Sequence, residues 1–347
     1  MNIRDYFNSF KNTDFVDGIT ETPLQYGFIN SQNLFNVKST NQTAIVFDRD
    51  YSTTTLLPQV NRGGKASTQG KERAADTFAL KLAYFKHEDR LTGGDIQGHR
   101  QVGRTDNETI AHATAEKMVD MRLAWDQTQE YMKLQALKGQ FKTPDGIMVA
   151  DMFDVFDITQ TEINFELGTS GTNVDEKIRQ LKSVISKSVK TGGAISGIKV
   201  LVDPNWFSKL IAHQSMKAAY SFYMNNGAGN EVLRDDTATY MKWGVMNHFT
   251  HRGITFVEYD ATFNLPDGTT EDAFADNTGI AYADGVRDLF RGYHGPSAKM
   301  SEANQPGQEL FVRTYLDPKD EYVEFEMEAA PLYFATKPAS IIKLTSN

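Results

Sequence analysis

One stretch, Asn107 to Gly139, constrains this chain more than any other: NETIAHATAEKMVDMRLAWDQTQEYMKLQALKG. It contains no proline, and no glycine before its last residue. Asn107 suits a helix N-cap, because its side-chain oxygen can accept an amide bond left open in the first turn. Glu108 sits where the positive end of the helix dipole favours an acid. Lys133 and Lys138 lie near the other end, where cations are favoured, and Gly139 supplies a left-handed stop. Ile110, Met118, Met121, Trp125 and Met132 recur at helical spacings and predict one apolar stripe. At about 1.5 Å per residue, this helix runs roughly 45 Å. That exceeds what a compact domain of half this chain requires. A long core helix of an enzyme is one explanation; a spine spanning an extended subunit is the preferred one.

The chain has 347 residues, enough for one large or two modest domains with a sizeable core. Hydrophobic residues make up 40% and charged residues 23%, as in soluble globular proteins. The net charge of -9 argues against a dedicated DNA-coating surface, though not against one that faces nucleic acid without gripping it. With no cysteine, disulfides, thiolate zinc sites and cysteine nucleophiles are excluded. Absent cysteine also fits assembly in a reducing cytosol. The opening MNIRDYFNSF lacks the apolar core of a signal peptide. No apolar run reaches the roughly 18 residues of a membrane span, so no membrane partner is expected.

Residues 1–50 carry scattered aromatics, among them Phe7, Phe10, Phe15, Tyr26, Phe28 and Phe35, beyond a short helix near Ile3–Phe10. Such a segment is either an arm laid across something else or the first layer of a domain. Residues 43–58 read as a strand, and Phe78–Leu91 as its return, with Phe78, Leu80 and Leu82 alternating. Between them Asn61–Asp76 is polar and glycine-rich, which predicts a projecting hairpin with a long tip. The tip lacks the spacing of a phosphate-binding loop. Residues 141–167 are expected to form a hairpin, with both strands drawn from Met152–Leu167. Val174–Val189 predicts an amphipathic helix through Ile178, Leu181, Ile185 and Val189, ended by Thr191-Gly192-Gly193. Ile198–Val202 is an apolar strand. Asp203-Pro204 then opens one helix carrying Trp206, Phe207, Leu210, Ile211, Ala218 and Phe222. Strands follow at Gly253–Tyr259 and Thr278–Asp284, so residues 195–310 read as a separate α/β lobe. In Tyr322–Glu328, Val323, Phe325 and Met327 face one way, leaving Glu324, Glu326 and Glu328 to solvent or a neighbour. Ala329–Leu344 continues as strand, turn at Lys337-Pro338, and strand.

No constellation supports catalysis. His248 and His251 could present two metal ligands with Glu258 and Asp260 beyond, but dispersed surface histidines explain them more simply. Asp48-Arg49-Asp50 reads as a salt-bridged strand rather than a magnesium site. No nucleophile elbow, zinc-protease, phosphate-loop or dinucleotide fingerprint occurs. The chain is therefore expected to be no enzyme, with no catalytic, cofactor or metal residues. A soluble α/β enzyme with an inserted lobe remains the rival from another class.

Several features taken together resemble the major capsid proteins of tailed bacteriophages, of the phage lambda capsid protein E type. The long helix ends in Glu130…Leu137-Lys138-Gly139, similar to that family's acid-then-LKG ending. Val202-Asp203-Pro204-Asn205-Trp206-Phe207 resembles its strand–helix junction, although the expected glycine beside the tryptophan is missing. Arg252-Gly253 followed by Val257-Glu258-Tyr259 resembles its Gly-to-Tyr strand, and Asp276-Asn277-Thr278 its DNT turn. The end, Ala329-Ala330-Pro331-Leu332 through Lys337-Pro338 to Ile341-Ile342-Lys343-Leu344, resembles its finish. The order of elements is kept across nearly the whole chain, while the N-terminal arm shows no clear match.

The resemblance implies an α+β, Hong Kong 97-type phage capsid fold. Residues 1–50 would be the N-terminal arm and 51–85 the extended loop. Residues 86–194 with 311–347 would form the peripheral domain, its spine helix at 107–138, and 195–310 the axial domain. Arg62, Lys65, Lys71 and Arg73 would be the assembly residues near the loop tip. Asp203, Pro204 and Trp206 would form the axial-domain junction. The loop's flanking residues Leu56, Leu57, Phe78, Leu80 and Leu82 would be covered by a neighbouring subunit. The chain would assemble with itself as hexamers and pentamers into an icosahedral shell around double-stranded DNA, held without sequence specificity. Scaffold, portal and decoration proteins would be further partners. The shell would assemble in the bacterial host cytoplasm and end in the virion. An encapsulin-like compartment is the alternative within the same fold. A covalent link through Lys65 or Lys71 is not expected.

Overall fold

The computed structural model describes residues 27–50, 75–97, 110–189, 194–227, 245 and 247–347. The proposed cap at Asn107, the Thr191-Gly192-Gly193 stop, the short helix at Ile3–Phe10, Leu56 and Leu57 all lie outside them. A helical turn, α1 (Phe28–Ser31), leads into strand β1 (Phe35–Ser39). Strands β2 (Ala44–Asp50) and β3 (Ala75–Lys81) pair antiparallel, from Ala44↔Lys81 to Asp50↔Ala75. This is the base of the expected hairpin. Its apolar face does not wait for a neighbour: Phe47 stacks on Phe334 at 5.1 Å and Phe78 on Phe156 at 6.0 Å, while Leu80 is buried. The return is two strands, not one. At Leu82–Tyr84 the chain changes sheets, Leu82 N–H bonding to Thr43 and Ala83 N–H to Pro331, and β4 (Phe85–Thr92) joins a different partner.

The spine is described as α2 (Ile110–Leu137), 28 residues long. Gly139 follows with φ +84°, and a Cβ there would lie 2.4 Å from the Phe153 ring, so glycine is required on both counts. The expected stripe holds through Trp125. Beyond it the helix is buried all round: from Gln129 to Leu137 every residue except Lys133 is buried. A one-sided stripe was the wrong picture there, because α1 and strands introduced below enclose this half of the helix.

Strands β5 (Gln140–Lys142) and β6 (Met148–Asp151) form a hairpin. The expected strand at Met152 is instead a helical turn, α3 (Met152–Val155), because the Asp151 carboxylate accepts Phe153 N–H at 2.8 Å and caps it. Only β7 (Glu162–Asn164) of that region is a strand. Helix α4 (Val174–Val189) buries Ile178, Leu181, Ile185 and Val189, as the periodicity requires. Strand β8 (Gly197–Val202) runs into α5 (Pro204–Ala212), and α6 (Gln214–Gly227) follows. These two replace the single expected helix. His213 between them is extended, its Nδ1 accepts Ser215 N–H at 3.3 Å, and its ring thereby caps α6.

Ten short strands complete the fold: β9 (His248–His251), β10 (Ile254–Glu258), β11 (Thr262–Asn264), β12 (Thr270–Asp272) and β13 (Thr278–Asp284), then β14 (Phe290–His294), β15 (Phe311–Leu316), β16 (Tyr322–Ala329), β17 (Pro331–Ala335) and β18 (Ile342–Thr345). A six-stranded mixed sheet has the order β7-β18-β13-β8-β10-β9. It draws β7 and β18 from outside 195–310. Strand β14, inside that range, pairs instead with β1 and β17. A third sheet has the order β15-β16-β4. The spine's buried half packs on α1, β5 and β17.

Candidate assembly site

The junction between β8 and α5 is built around one carboxylate. Asp203 sits at the N-cap with extended backbone angles, followed by Pro204 at the first helical position, whose missing N–H costs nothing there. Asp203 Oδ2 accepts N–H bonds from Asn205 at 3.0 Å, Trp206 at 3.4 Å and Asn277 at 3.0 Å. Asp203 N–H donates to Thr278 O at 3.0 Å, and Asn205 Nδ2 to Asp276 Oδ1 at 3.1 Å. Asn277 makes the turn with φ +58°, a conformation asparagine tolerates better than most residues. Trp206 is fully buried, 5.2 Å from the Phe165 ring and 5.9 Å from that of Phe256. Two separated sequence motifs, the DPNW and DNT segments, thus form one knot.

A second knot joins three parts of the chain at Glu130 on the spine. Its Oε1 accepts Ile29 N–H at 2.7 Å and the Tyr259 hydroxyl at 2.9 Å, while Oε2 accepts Asn30 N–H at 2.8 Å. Glu130 is fully buried, and burial raises its pKa despite these three donors. The end of the N-terminal segment, the spine and the strand exit at Tyr259 therefore share one acid. Phe28 and Ile29 are completely buried here. Lys133 and Lys138, placed by sequence near the dipole's negative end, find specific partners instead. Lys133 Nζ bonds Asn30 Oδ1, and Lys138 Nζ lies 5.3 Å from the centre of the Phe274 ring. Burial lowers each lysine's pKa to about 8.

The third cluster overturns an expectation. Of the three carboxylates on β16, Glu326 and Glu328 are buried within the chain rather than offered outward. Arg313 on β15, itself buried, donates to Glu328 Oε2 at 2.8 Å and to Ser297 Oγ at 2.8 Å, and pairs with Glu302. Lys299 and Lys86 reach Glu326 Oε2 at 2.7 and 3.0 Å. Ala298 N–H and the Ser297 hydroxyl complete the shell of Glu328. Burial pushes both acids up, but the lysines at Glu326, and the amide, hydroxyl and guanidinium at Glu328, outweigh it and hold both pKa values below normal. The strict alternation hid this. The signal lay in a lone arginine in the apolar run of β15, directly opposite Glu326 across the strand pair.

The loop residues Arg62, Lys65, Lys71 and Arg73 lie outside the described residues. Asp48 accepts the Thr77 hydroxyl at 2.7 Å in the hairpin base. His251 on β9 meets Asp175 at 3.1 Å. Among the described residues no three His, Asp or Glu side chains converge as a metal-binding group, and no helix is long and apolar enough to cross a membrane.

The DPNW–DNT knot, the acid of the spine and the Gly-to-Tyr strand meet in the order the capsid resemblance requires. A sequence profile of the phage major capsid protein E family matches residues 14–346. The chain belongs to this family. It is 31% identical to the major capsid protein of Salmonella phage Felix O1, covering 96% of this chain and 95% of that protein. Identity to the major capsid protein of Pseudomonas phage KPP10 is 26%, over 97% of each. A solved structure of a putative capsid protein from an E. coli CFT073 prophage superposes with a TM-score of 0.56 at 12% identity, covering 97% of this chain and 99% of that one. The mature capsid of bacteriophage PhiM1 gives 0.53 at 13% identity, over 94% and 89%. These likenesses establish the Hong Kong 97-type phage capsid fold for this family member.

Proposed function

We propose that this chain is the major head protein of a tailed bacteriophage, assembling through copies of itself as hexamers and pentamers of an icosahedral shell around double-stranded DNA. The observation that carries the proposal is family membership over nearly the whole length. The two-knot architecture supports it: a long spine is fixed at one end to an α/β lobe and to the N-terminal segment. In this reading the lobe around the six-stranded sheet is the axial unit, comprising most of 195–310 together with Glu162–Asn164 and Ile342–Thr345. The peripheral unit comprises the spine and the β15-β16-β4 sheet. Residues 1–50 are the arm and 51–85 the extended loop, with Arg62, Lys65, Lys71 and Arg73 as its assembly residues. Asp203, Pro204 and Trp206 set the axial unit on its support. Repeated head-to-tail contacts close into rings, and tying each subunit to several neighbours multiplies modest affinities. A net charge of -9 avoids the salt-sensitive phosphate gripping that would impede packing DNA. Scaffold, portal and decoration proteins are the remaining partners, the bacterial cytoplasm the place of assembly, and no catalytic role is assigned. Sedimentation and negative-stain microscopy of the purified protein test this. Closed particles or hexamer-scale species are expected, and a well-folded monomer at all concentrations overturns the proposal.

A further inference from the structure

Lys138, directly after the spine, stands on the wall of a cleft of about 740 Å³. The cleft lies between the end of the spine, the β8–α5 junction, the exit of β10 and strand β12. Lys138 is partly buried, so its amine has lost much of its water and is still reached from the cleft. The carboxylate best placed to hold it is taken. Glu271 on β12 accepts the Tyr131 hydroxyl at 2.9 Å, Lys142 Nζ at 3.0 Å and Gln135 Nε2 at 3.5 Å. Among the described residues Lys138 Nζ has no hydrogen-bond acceptor, and its neighbour is the Phe274 ring, 5.3 Å from amine to ring centre. Tyr259 meets Phe274 edge to face at 6.4 Å, which gives the cleft one aromatic side. Its rim is acidic, with Asp260, Asp272 and Asp276 all exposed.

We propose that Lys138 is a covalent modification site that forms an imine with small aromatic aldehydes carrying no negative charge. The neutral amine adds through its Nζ lone pair to the aldehyde carbon, and the C=O π pair moves to oxygen. One Nζ proton reaches that oxygen through solvent, giving a carbinolamine. Its hydroxyl then leaves with the second Nζ proton as water, and a C=N bond remains. Neither partner is oxidised or reduced, so no cofactor enters. The aromatic side of the cleft favours a ring on the aldehyde. The acidic rim repels an anionic one.

The surroundings favour this chemistry. Burial lowers the Lys138 pKa to about 8, Glu271 opposes the shift and Lys142 adds to it. At pH 7.5 about a quarter of such amines are neutral, against about one in a thousand for an ordinary lysine. Asp203 at the junction, Asp260 after β10, Asp272 on β12 and Asp276 in the turn before β13 are the other charged groups on the cleft. Lys133 has a similar pKa but a different setting. Its amine is held by Asn30 Oδ1 at 2.7 Å and Gln129 Oε1 at 3.1 Å, and it does not line the cleft. Access and a free lone pair, rather than pKa alone, therefore single out Lys138. The site is complete within one subunit, so it does not depend on shell assembly.

The full chain is to be treated with pyridoxal at pH 7.5, the imine trapped with cyanoborohydride, and the adduct mapped by tryptic mass spectrometry. Label should fall first on Lys138 and block cleavage there, while Lys133 stays free. In urea this preference should vanish, which ties it to the folded cleft without any substitution. Labelling of Lys138 should quicken with pH and level off above about 8. Pyridoxal should outpace pyridoxal 5′-phosphate at Lys138 by about tenfold, because the rim repels the phosphate. Asp260→Asn should narrow that gap. Lys138→Arg, which keeps the charge, should remove the fast-labelled site and leave circular dichroism unchanged. Label spread evenly over the lysines of the folded chain overturns the proposal. So does label at Lys133 in place of Lys138, or equal rates with the two aldehydes.

Discussion

Tyr259 donates its hydroxyl to Glu130 at 2.9 Å across 129 residues of sequence. The bond ties the exit of β10 to the C-terminal part of the spine, where the same carboxylate also holds α1. Tyr259→Phe should cost about 1.5–3 kcal/mol, as for a hydrogen bond to a charged group. Glu130→Ala strands three donors, one of them the buried Ile29 amide, and should cost about 3–5 kcal/mol. Urea midpoints rank the two, and limited proteolysis should cut before Ser31 only in Glu130→Ala.

Arg313→Met removes the cation that Glu328 and Glu302 share and that borders Glu326. Unpaired buried carboxylates cost about 3–5 kcal/mol. The triple change Arg313→Met, Glu326→Leu and Glu328→Leu should recover most of that loss. Thermal unfolding of the two variants decides whether the cost lies in burying charge or in losing the pair.

Acid should act on this cluster with a definite sign. Glu326 and Glu328 have folded pKa values below their unfolded ones, so their stabilisation is present above the unfolded value, about 4.3, and is lost as pH falls through the folded values. Glu130 has a raised folded pKa, so its contribution runs oppositely, weakening as pH rises past the unfolded value. The melting temperature of Glu328→Gln should therefore fall less than wild type between pH 5 and 3, about the range over which the unfolded carboxylate titrates.

Asp203→Ala opens three N–H groups at once and should cost about 2–4 kcal/mol, above the ordinary worth of a single cap. Trp206→Ala leaves a cavity between Phe165 and Phe256 and should cost about 3–5 kcal/mol. Both are read by denaturant unfolding. An Asp203→Ala loss no larger than an ordinary cap would mean that Asn277 finds another acceptor.

Replacing residues 61–74 with a short turn should leave circular dichroism and melting nearly unchanged, because the hairpin base is already packed on Phe334 and Phe156. Particle yield should collapse. Reversing Arg62, Lys65, Lys71 and Arg73 to glutamate should do the same at full loop length. Normal closed particles from either variant would remove the loop from assembly.

The elements written in strong local chemistry were legible in the sequence. Gly139 stops the spine, Asp203-Pro204 opens a helix, and Ile178, Leu181, Ile185 and Val189 mark a helix face, each through one or two residues acting on near neighbours. Decisions made at long range were not legible. Met152–Val155 has the composition of a strand, yet the Asp151 side chain caps it as a helix. The His213 break depends on a ring that turns back onto Ser215. Glu326 and Glu328 look solvent-facing by alternation and are buried because Arg313 comes from another strand. The Glu130 knot was visible only as part of an ending motif. Its three partners lie a hundred or more residues away, and no local pattern announces them.

Strand β18 lies between β7 and β13, so the six-stranded sheet has a gap until residues 342–345 exist. During synthesis, Glu162–Asn164 therefore waits for a partner made some 180 residues later, an interval on the order of ten seconds or more at cellular elongation rates. Until those four residues are made, a nascent chain cannot present a finished lobe to its neighbours. The fold thus carries its own clock, delaying association until translation of this part is done.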